Sequence, residues 1–167
     1  GNVSLDLRNK GLKKKIKSDN TPVTNGDIQV NDLLTKKITD LTPNIKIISE
    51  ENLINKENKN LKDFWLIDPI DGTYDYINGK DEFTINAALI LNKKPVAGII
   101  NAPDKNRLFY SFGLSNSFEL SNKSKTELTC KKKSKDNEIN AVAYSNNPKP
   151  EITAIYKKYN ITNFTRM

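Results

Sequence analysis

Apolar positions fall into short clusters separated by Lys- and Asn-rich stretches, and the spacing within each cluster says what it builds. Val3, Leu7 and Leu12 recur at loosely helical spacing, with Gly11 placed to stop a helix. Residues 13–17 form a basic tract that runs into the turn-rich Ser18-Asp19-Asn20-Thr21-Pro22. A second helix is expected from Thr24. Thr24 and Asp27 have the spacing of a capping pair, and an acidic residue suits the positive first turn. Ile28, Leu34, Ile38 and Leu41 would form its buried stripe, and Pro43 would end it. Residues 45–49 read as a short apolar strand that stops at Glu50-Glu51, and residues 52–62 as a polar loop.

Phe64-Trp65-Leu66-Ile67 reads as a buried strand ending at Asp68-Pro69, with Gly72 opening a turn or helix. Trp65 is expected to pack in the core. Residues 83–91, 96–101, 108–112 and 117–120 read as further strands, with Asn92-Lys93-Lys94-Pro95 as a turn. Short connections of this kind favour antiparallel pairing. Residues 121–138 are polar and read as a loop or boundary. Residues 139–144 resume as a strand, and residues 148–159 as a helix with Pro at its start. Helices first and strands next imply an α+β fold, with N-terminal helices packed on a mainly antiparallel sheet. The expected division is an α+β unit over 1–138 and the start of a second α/β unit over 139–167.

Composition narrows the chemistry. The 167 residues include no histidine and one cysteine, Cys130. A Ser-His-Asp triad, a Cys-His dyad and a His-ligated metal are therefore excluded, as is a disulfide framework within the chain. Catalysis has to come from carboxylates, hydroxyls, lysines or a hard cation held by oxygen. No window approaches the roughly 18 apolar residues of a membrane span. The net charge of +7, from 27 Lys+Arg against 20 Asp+Glu, points to anionic partners, although a solvated surface explains it equally well. Aromatics do not alternate with the basic residues as a nucleic-acid stacking platform requires. A basic nucleic-acid-binding protein is nevertheless the reading from a different class, and an inactive fragment is a third.

The most informative stretch is Trp65-Leu66-Ile67-Asp68-Pro69-Ile70-Asp71-Gly72-Thr73. An apolar strand delivers Asp68, and Asp71 follows within one tight turn. Two carboxylates so close repel each other unless a cation or donors lie between them, and Mg²⁺ suits hard oxygen ligands of this type. The N–H groups of Gly72 and Thr73, at the start of the next element, suit a phosphate. If the strands before Glu50 and before Asp68 lie side by side, those two carboxylates meet at one edge.

Glu50-Glu51, then Asp68-Pro69-Ile70-Asp71-Gly72-Thr73, then Glu82-Phe83-Thr84-Ile85-Asn86 resembles the lithium-sensitive, Mg²⁺-dependent inositol monophosphatase superfamily. Thr21-Pro22-Val23-Thr24 and the stretch from Gly79 to Asn86 are most similar to its CysQ-type 3'(2'),5'-bisphosphate nucleotidases. The resemblance implies a layered sandwich fold and hydrolysis of adenosine 3',5'-bisphosphate to AMP and phosphate, within sulfur metabolism. An inositol or sugar phosphatase is the alternative. It implies two or three Mg²⁺ ions: Glu50, Asp68 and the Ile70 carbonyl on the first, Asp68 and Asp71 on the second. Thr73 would orient the attacking water with Asp27 as its hydrogen-bond partner, and Glu50 joins them in the catalytic set. The substrate would meet Glu50, Ile70, Asp71, Gly72 and Thr73. Lys17 would match a family lysine near the metals.

The family completes its second metal site with an Asp from a downstream Trp-Asp segment, and this chain contains no Trp-Asp. The expectation is a chain cut at both ends and lacking most of its second domain. The partner implied is a small phosphorylated molecule, with no nucleic acid. A homodimer and a peripheral seat on the inner face of the cell membrane stay open for an otherwise cytoplasmic protein.

Overall fold

The structure, a computed structural model, describes residues 1–52, 61–129, 139–143 and 147–166, and the chain divides into two compact units, Gly1–Thr129 and Cys130–Met167. Cys130 and the Lys131–Lys133 run lie outside the described residues. Among the described residues, no helix is long and apolar enough to cross a membrane.

The first unit is α+β, as expected. Helix α1 (Asn2–Lys10) leads into a ribbon of β1 (Lys14–Ile16) and β2 (Pro22–Thr24), and then α2 (Asn25–Leu41). A seven-stranded sheet follows in the order β3 (Lys46–Ser49), β4 (Phe64–Asp71), β5 (Thr84–Leu91), β6 (Lys94–Ala102), β7 (Arg107–Phe112), β8 (Asn116–Ser121) and β9 (Ser124–Glu127). A short helix, α3 (Thr73–Ile77), separates β4 from β5. The pairings run antiparallel except β3 with β4, which is parallel, with Ser49 opposite Ile67.

Several sequence expectations need correction. The ribbon was not foreseen, because its strands are three residues long and β1 is made of Lys-Lys-Ile. Strand β9 lies in the stretch read as a polar loop. Its four residues are all exposed, so no buried face marked it. Asn122 and Lys123, with φ of 48° and 67°, make the tight turn into it. Asn92 and Lys93 do the same between β5 and β6, with φ of 51° and 63°, which is the left-handed pairing a two-residue hairpin favours. The buried stripe of α2 is also displaced. Val30, Asn31 and Ile38 are buried, whereas Ile28 is 45% exposed and Leu41 81% exposed. The capping Asp27 points inward, and that sets the helix phase to 27, 30, 31, 34 and 38.

The core beneath the site joins Val30 of α2, Ile70 of β4, Tyr76 of α3, Phe83 and Ile85, with Leu5, Leu12 and Leu34 packed against it. Burying side chains of this size stabilises by about 1.5–3 kcal/mol each. Tyr76 and Phe83 contact ring to ring at 4.8 Å, and the buried Tyr76 hydroxyl donates to the Ser4 carbonyl at 2.6 Å. Gly26 makes room for it, since a Cβ there would sit 2.5 Å from that hydroxyl. The opposite sheet face is an open trough of about 700 Å³, with Leu66, Ile100 and Phe109 in its floor and Glu50, Asp68 and Asn86 among its lining.

The second unit is described by itself. Strands β10 (Asn140–Ala143) and β11 (Asn163–Arg166) pair in parallel, with α4 (Pro150–Lys158) between them in sequence. Tyr156 of α4 stacks on Phe164 at 5.9 Å. Strand β11 was not foreseen from the sequence.

Candidate active site

Strand β4 does not end at Asp68-Pro69, as the sequence suggested. It continues to Asp71 through a β-bulge. Asp68 pairs with Asn86 and Asp71 with Thr84, so β4 advances three residues while β5 advances two. Successive strand side chains alternate faces, so an unbroken strand would send Asp68 and Asp71 to opposite sides. The extra residue puts both on the face that carries Asn86. Pro69 is tolerated there because a bulge does not need its N–H. The parallel neighbour β3 ends level with this point, since Ser49 faces Ile67, and Glu50 therefore meets Asp68 as anticipated.

The consequences are electrostatic. Asp68 is half-buried, and burial, then Glu50, then Asp71 push its carboxyl from 3.8 up to about 7. Its Oδ1 is buried without a hydrogen-bond partner. The side-chain amide of Asn86 donates to Asp71 Oδ2 at 3.1 Å. Lys17, on the turn of the β1–β2 ribbon, reaches Glu51 at 2.8 Å and Glu50 at 3.4 Å. The Glu50-Glu51 turn is fixed from below. Ser49 Oγ donates to Asn31 Oδ1 at 2.6 Å and accepts from the Glu51 N–H at 3.3 Å.

A second group centres on Thr73. Thr24 caps α2 in a full capping box with Asp27: Thr24 N–H donates to Asp27 Oδ2 at 2.8 Å, and Thr24 Oγ1 accepts from the N–H of Gly26 and Asp27. Asp27 is 1% exposed, and its other oxygen, Oδ1, accepts from Thr73 Oγ1 at 3.1 Å. Thr73 Oγ1 also lies 3.0 Å from the Ile70 carbonyl. Gly72 links this group to the bulge. Its φ is +87°, and a Cβ would sit 2.8 Å from the Glu82 carbonyl, so both conformation and space call for glycine.

The structure thus gathers Glu50, Asp68 and Asp71 in one group, and Asp27, Ile70, Gly72 and Thr73 in an adjoining one. Among the described residues, no three His, Cys, Asp or Glu side chains are placed to hold a metal ion by themselves. Glu50 and Asp68 line the open trough, and with Asp71 they make no cation-binding cage of their own. A buried acceptor oxygen without a donor, on a carboxyl crowded by Glu50 and Asp71, fits a hard cation better than it fits solvent. Sequence reasoning did not single out Asn86, whose amide the fold brings to Asp71. Its signal was a lone amide in the otherwise apolar run from Ile85 to Leu91.

The family model for the inositol monophosphatase family matches residues 2–166. This chain belongs to the inositol monophosphatase family. Within the family it is similar to the 3'(2'),5'-bisphosphate nucleotidase CysQ of Haemophilus influenzae, 43% identical over 104 residues, which is 61% of this chain and 39% of that protein. The corresponding protein of Buchnera aphidicola is 38% identical over 115 residues, covering 67% of this chain and 43% of the relative. The chain spans about two-fifths of the length of these curated relatives. The fold matches the crystal structure of CysQ from Bacteroides thetaiotaomicron with a TM-score of 0.75 at 23% identity, over 99% of this chain and 66% of that one. A staphylococcal inositol monophosphatase matches equally well, at 0.75 and 15% identity, over 99% of this chain and 61% of that one.

Proposed function

We propose that this chain carries the catalytic carboxylates of a Mg²⁺-dependent phosphate monoester hydrolase that converts adenosine 3',5'-bisphosphate to AMP and phosphate. The observation that carries the reaction class is the bulge that turns Asp68 and Asp71 to one face beside Glu50, leaving Asp68 Oδ1 buried and unpartnered. The nucleotide preference rests on the similarity to CysQ proteins.

Glu50, Asp68, Asp71 and the Ile70 carbonyl would hold the cations. Bound there, Mg²⁺ would supply Lewis-acid polarisation of the phosphoryl oxygens and acidify water. Thr73 positions the nucleophile. Its single hydroxyl proton is committed to Asp27 and Ile70, so its oxygen is left to accept a hydrogen bond from the attacking water. Asp27 cannot rotate away, because its second oxygen is locked in the capping box. The backbone N–H groups of Gly72 and Thr73 hold the substrate phosphate, and the exposed Tyr74 after them borders the leaving AMP.

Phosphate release from adenosine 3',5'-bisphosphate and from an inositol monophosphate, with and without Mg²⁺, tests this on the chain and on the product of its whole reading frame. Mg²⁺-dependent release with the nucleotide preferred is expected. A strong preference for the inositol ester overturns the nucleotide assignment, and metal-independent hydrolysis overturns the role of the carboxylates. The isolated 167 residues should turn over slowly, since no Trp-Asp pair is present to complete the second cation site.

A further inference from the structure

We propose that Asn86 is a positioning residue of the carboxylate site, its amide N–H aiming Asp71 and its amide oxygen serving as a neutral ligand to the cation beside Asp68. This rests on the cation reading above and extends it to a residue outside the carboxylate set.

Three observations converge on Asn86. It lies directly opposite Asp68 in the β4–β5 register, and the bulge brings Asp71 to the same face. Its Nδ2 donates to Asp71 Oδ2 at 3.1 Å. Its Oδ1 is buried without a hydrogen-bond partner, as is Oδ1 of Asp68 across the ladder. Two acceptor oxygens at paired positions cannot satisfy each other, and leaving both dry is costly. A cation between them resolves both. An amide suits the position better than another carboxylate would. It adds an acceptor without adding repulsion to a group in which Asp68 already faces Glu50 and Asp71. Asn86 also marks where the sheet face changes character, since the next residue in register, Ile100 on β6, begins the apolar floor of the trough.

The test reads Mg²⁺ binding without turnover. Melting temperature is followed over 0.1–50 mM MgCl₂ at matched ionic strength for the wild-type chain, Asn86→Ala, Asn86→Asp and Asp68→Asn, because a ligand that binds only the folded state raises it in proportion to its affinity. Asn86→Ala should need about five- to tenfold more Mg²⁺ for the same rise. Asn86→Asp should melt lowest in EDTA, through added repulsion, and should gain the largest rise with Mg²⁺. A purely structural asparagine would not produce that opposite pair of shifts. If Asn86→Ala responds within twofold of wild type, or Asn86→Asp gains no more than Asn86→Ala, the assignment of Asn86 is wrong. If wild type shows no Mg²⁺-specific rise, or Asp68→Asn keeps it, the cation reading itself fails and Asn86 goes with it.

Discussion

Asp68→Asn should stabilise the metal-free chain at neutral and alkaline pH, although it removes the central carboxylate of the site. Folding raises the Asp68 carboxyl from 3.8 to about 7, through burial first and the neighbouring Glu50 and Asp71 next. Between those two values the unfolded chain has released its proton and the folded chain still holds it. Stability due to this group is therefore complete below pH 4, falls as pH rises to about 7, and is level above that. At about 1.4 kcal/mol for each tenfold change in proton affinity the full loss would be about 4 kcal/mol. Asp68 is only half-buried, and solvent screening reduces that to about 1–2 kcal/mol. Asparagine keeps the shape and never ionises. Urea titrations of both proteins in EDTA at pH 5, 6, 7 and 8 measure the difference, in which titrating groups that do not interact with Asp68 cancel. The advantage of Asp68→Asn should grow across this range, reach about 1–2 kcal/mol near pH 7 and stay level above it. Millimolar Mg²⁺ at pH 8 should then raise the wild type and leave the variant unmoved. A variant less stable than wild type at pH 8 without metal, or a difference independent of pH, refutes the account of Asp68 as a crowded, desolvated carboxylate.

Other perturbations probe the remaining parts. Thr73→Ala removes the hydroxyl that Asp27 and Ile70 orient. Hydrolysis by the complete protein should fall by about 100-fold while the Mg²⁺-induced rise in melting temperature stays near normal. Lys17→Met removes an ammonium that competes for Glu50 and Glu51. Half-saturating Mg²⁺ in the same melting assay should drop about threefold, and a rise instead would show that Lys17 assists the cation. Gly72→Ala forces a Cβ against the Glu82 carbonyl at a positive φ. Urea titration should show a loss of about 2–4 kcal/mol, and a loss under about 0.5 kcal/mol would mean the turn relaxes freely.

What could be read from the sequence was whatever local chemistry decides. The Thr24–Asp27 capping box, the strand into Asp68 and the start of α3 after Gly72 all follow from neighbouring residues, and the structure contains each. Features decided by tertiary partners were not legible. The phase of α2 is set by Asp27 reaching Thr73, 46 residues away, which swings Ile28 outward. The ribbon and β9 bury no continuous apolar face, so neither leaves a period to detect. Asn86 belongs to the Glu82–Asn86 motif, yet its place opposite Asp68 is a matter of register, which only the folded sheet defines.

The bulge ties the site to the fold more tightly than a loop would. The single extra residue that turns Asp71 to the face of Asp68 also sends Ile70 into the core with Val30, Tyr76 and Phe83. It leaves the Ile70 carbonyl 3.0 Å from Thr73 Oγ1 as well, joining the carboxylate group to the Asp27 group. The carboxylates are thus held in mutual repulsion by burial of apolar side chains one residue away. Hydrophobic packing of about 1.5–3 kcal/mol for Ile70 is comparable to the 1–2 kcal/mol that ionised Asp68 costs without a cation. That balance explains how the metal-free chain can keep the carboxylates assembled, and on the proposed cation reading it requires that Ile70→Ala weaken Mg²⁺ binding although the side chain it truncates holds no cation.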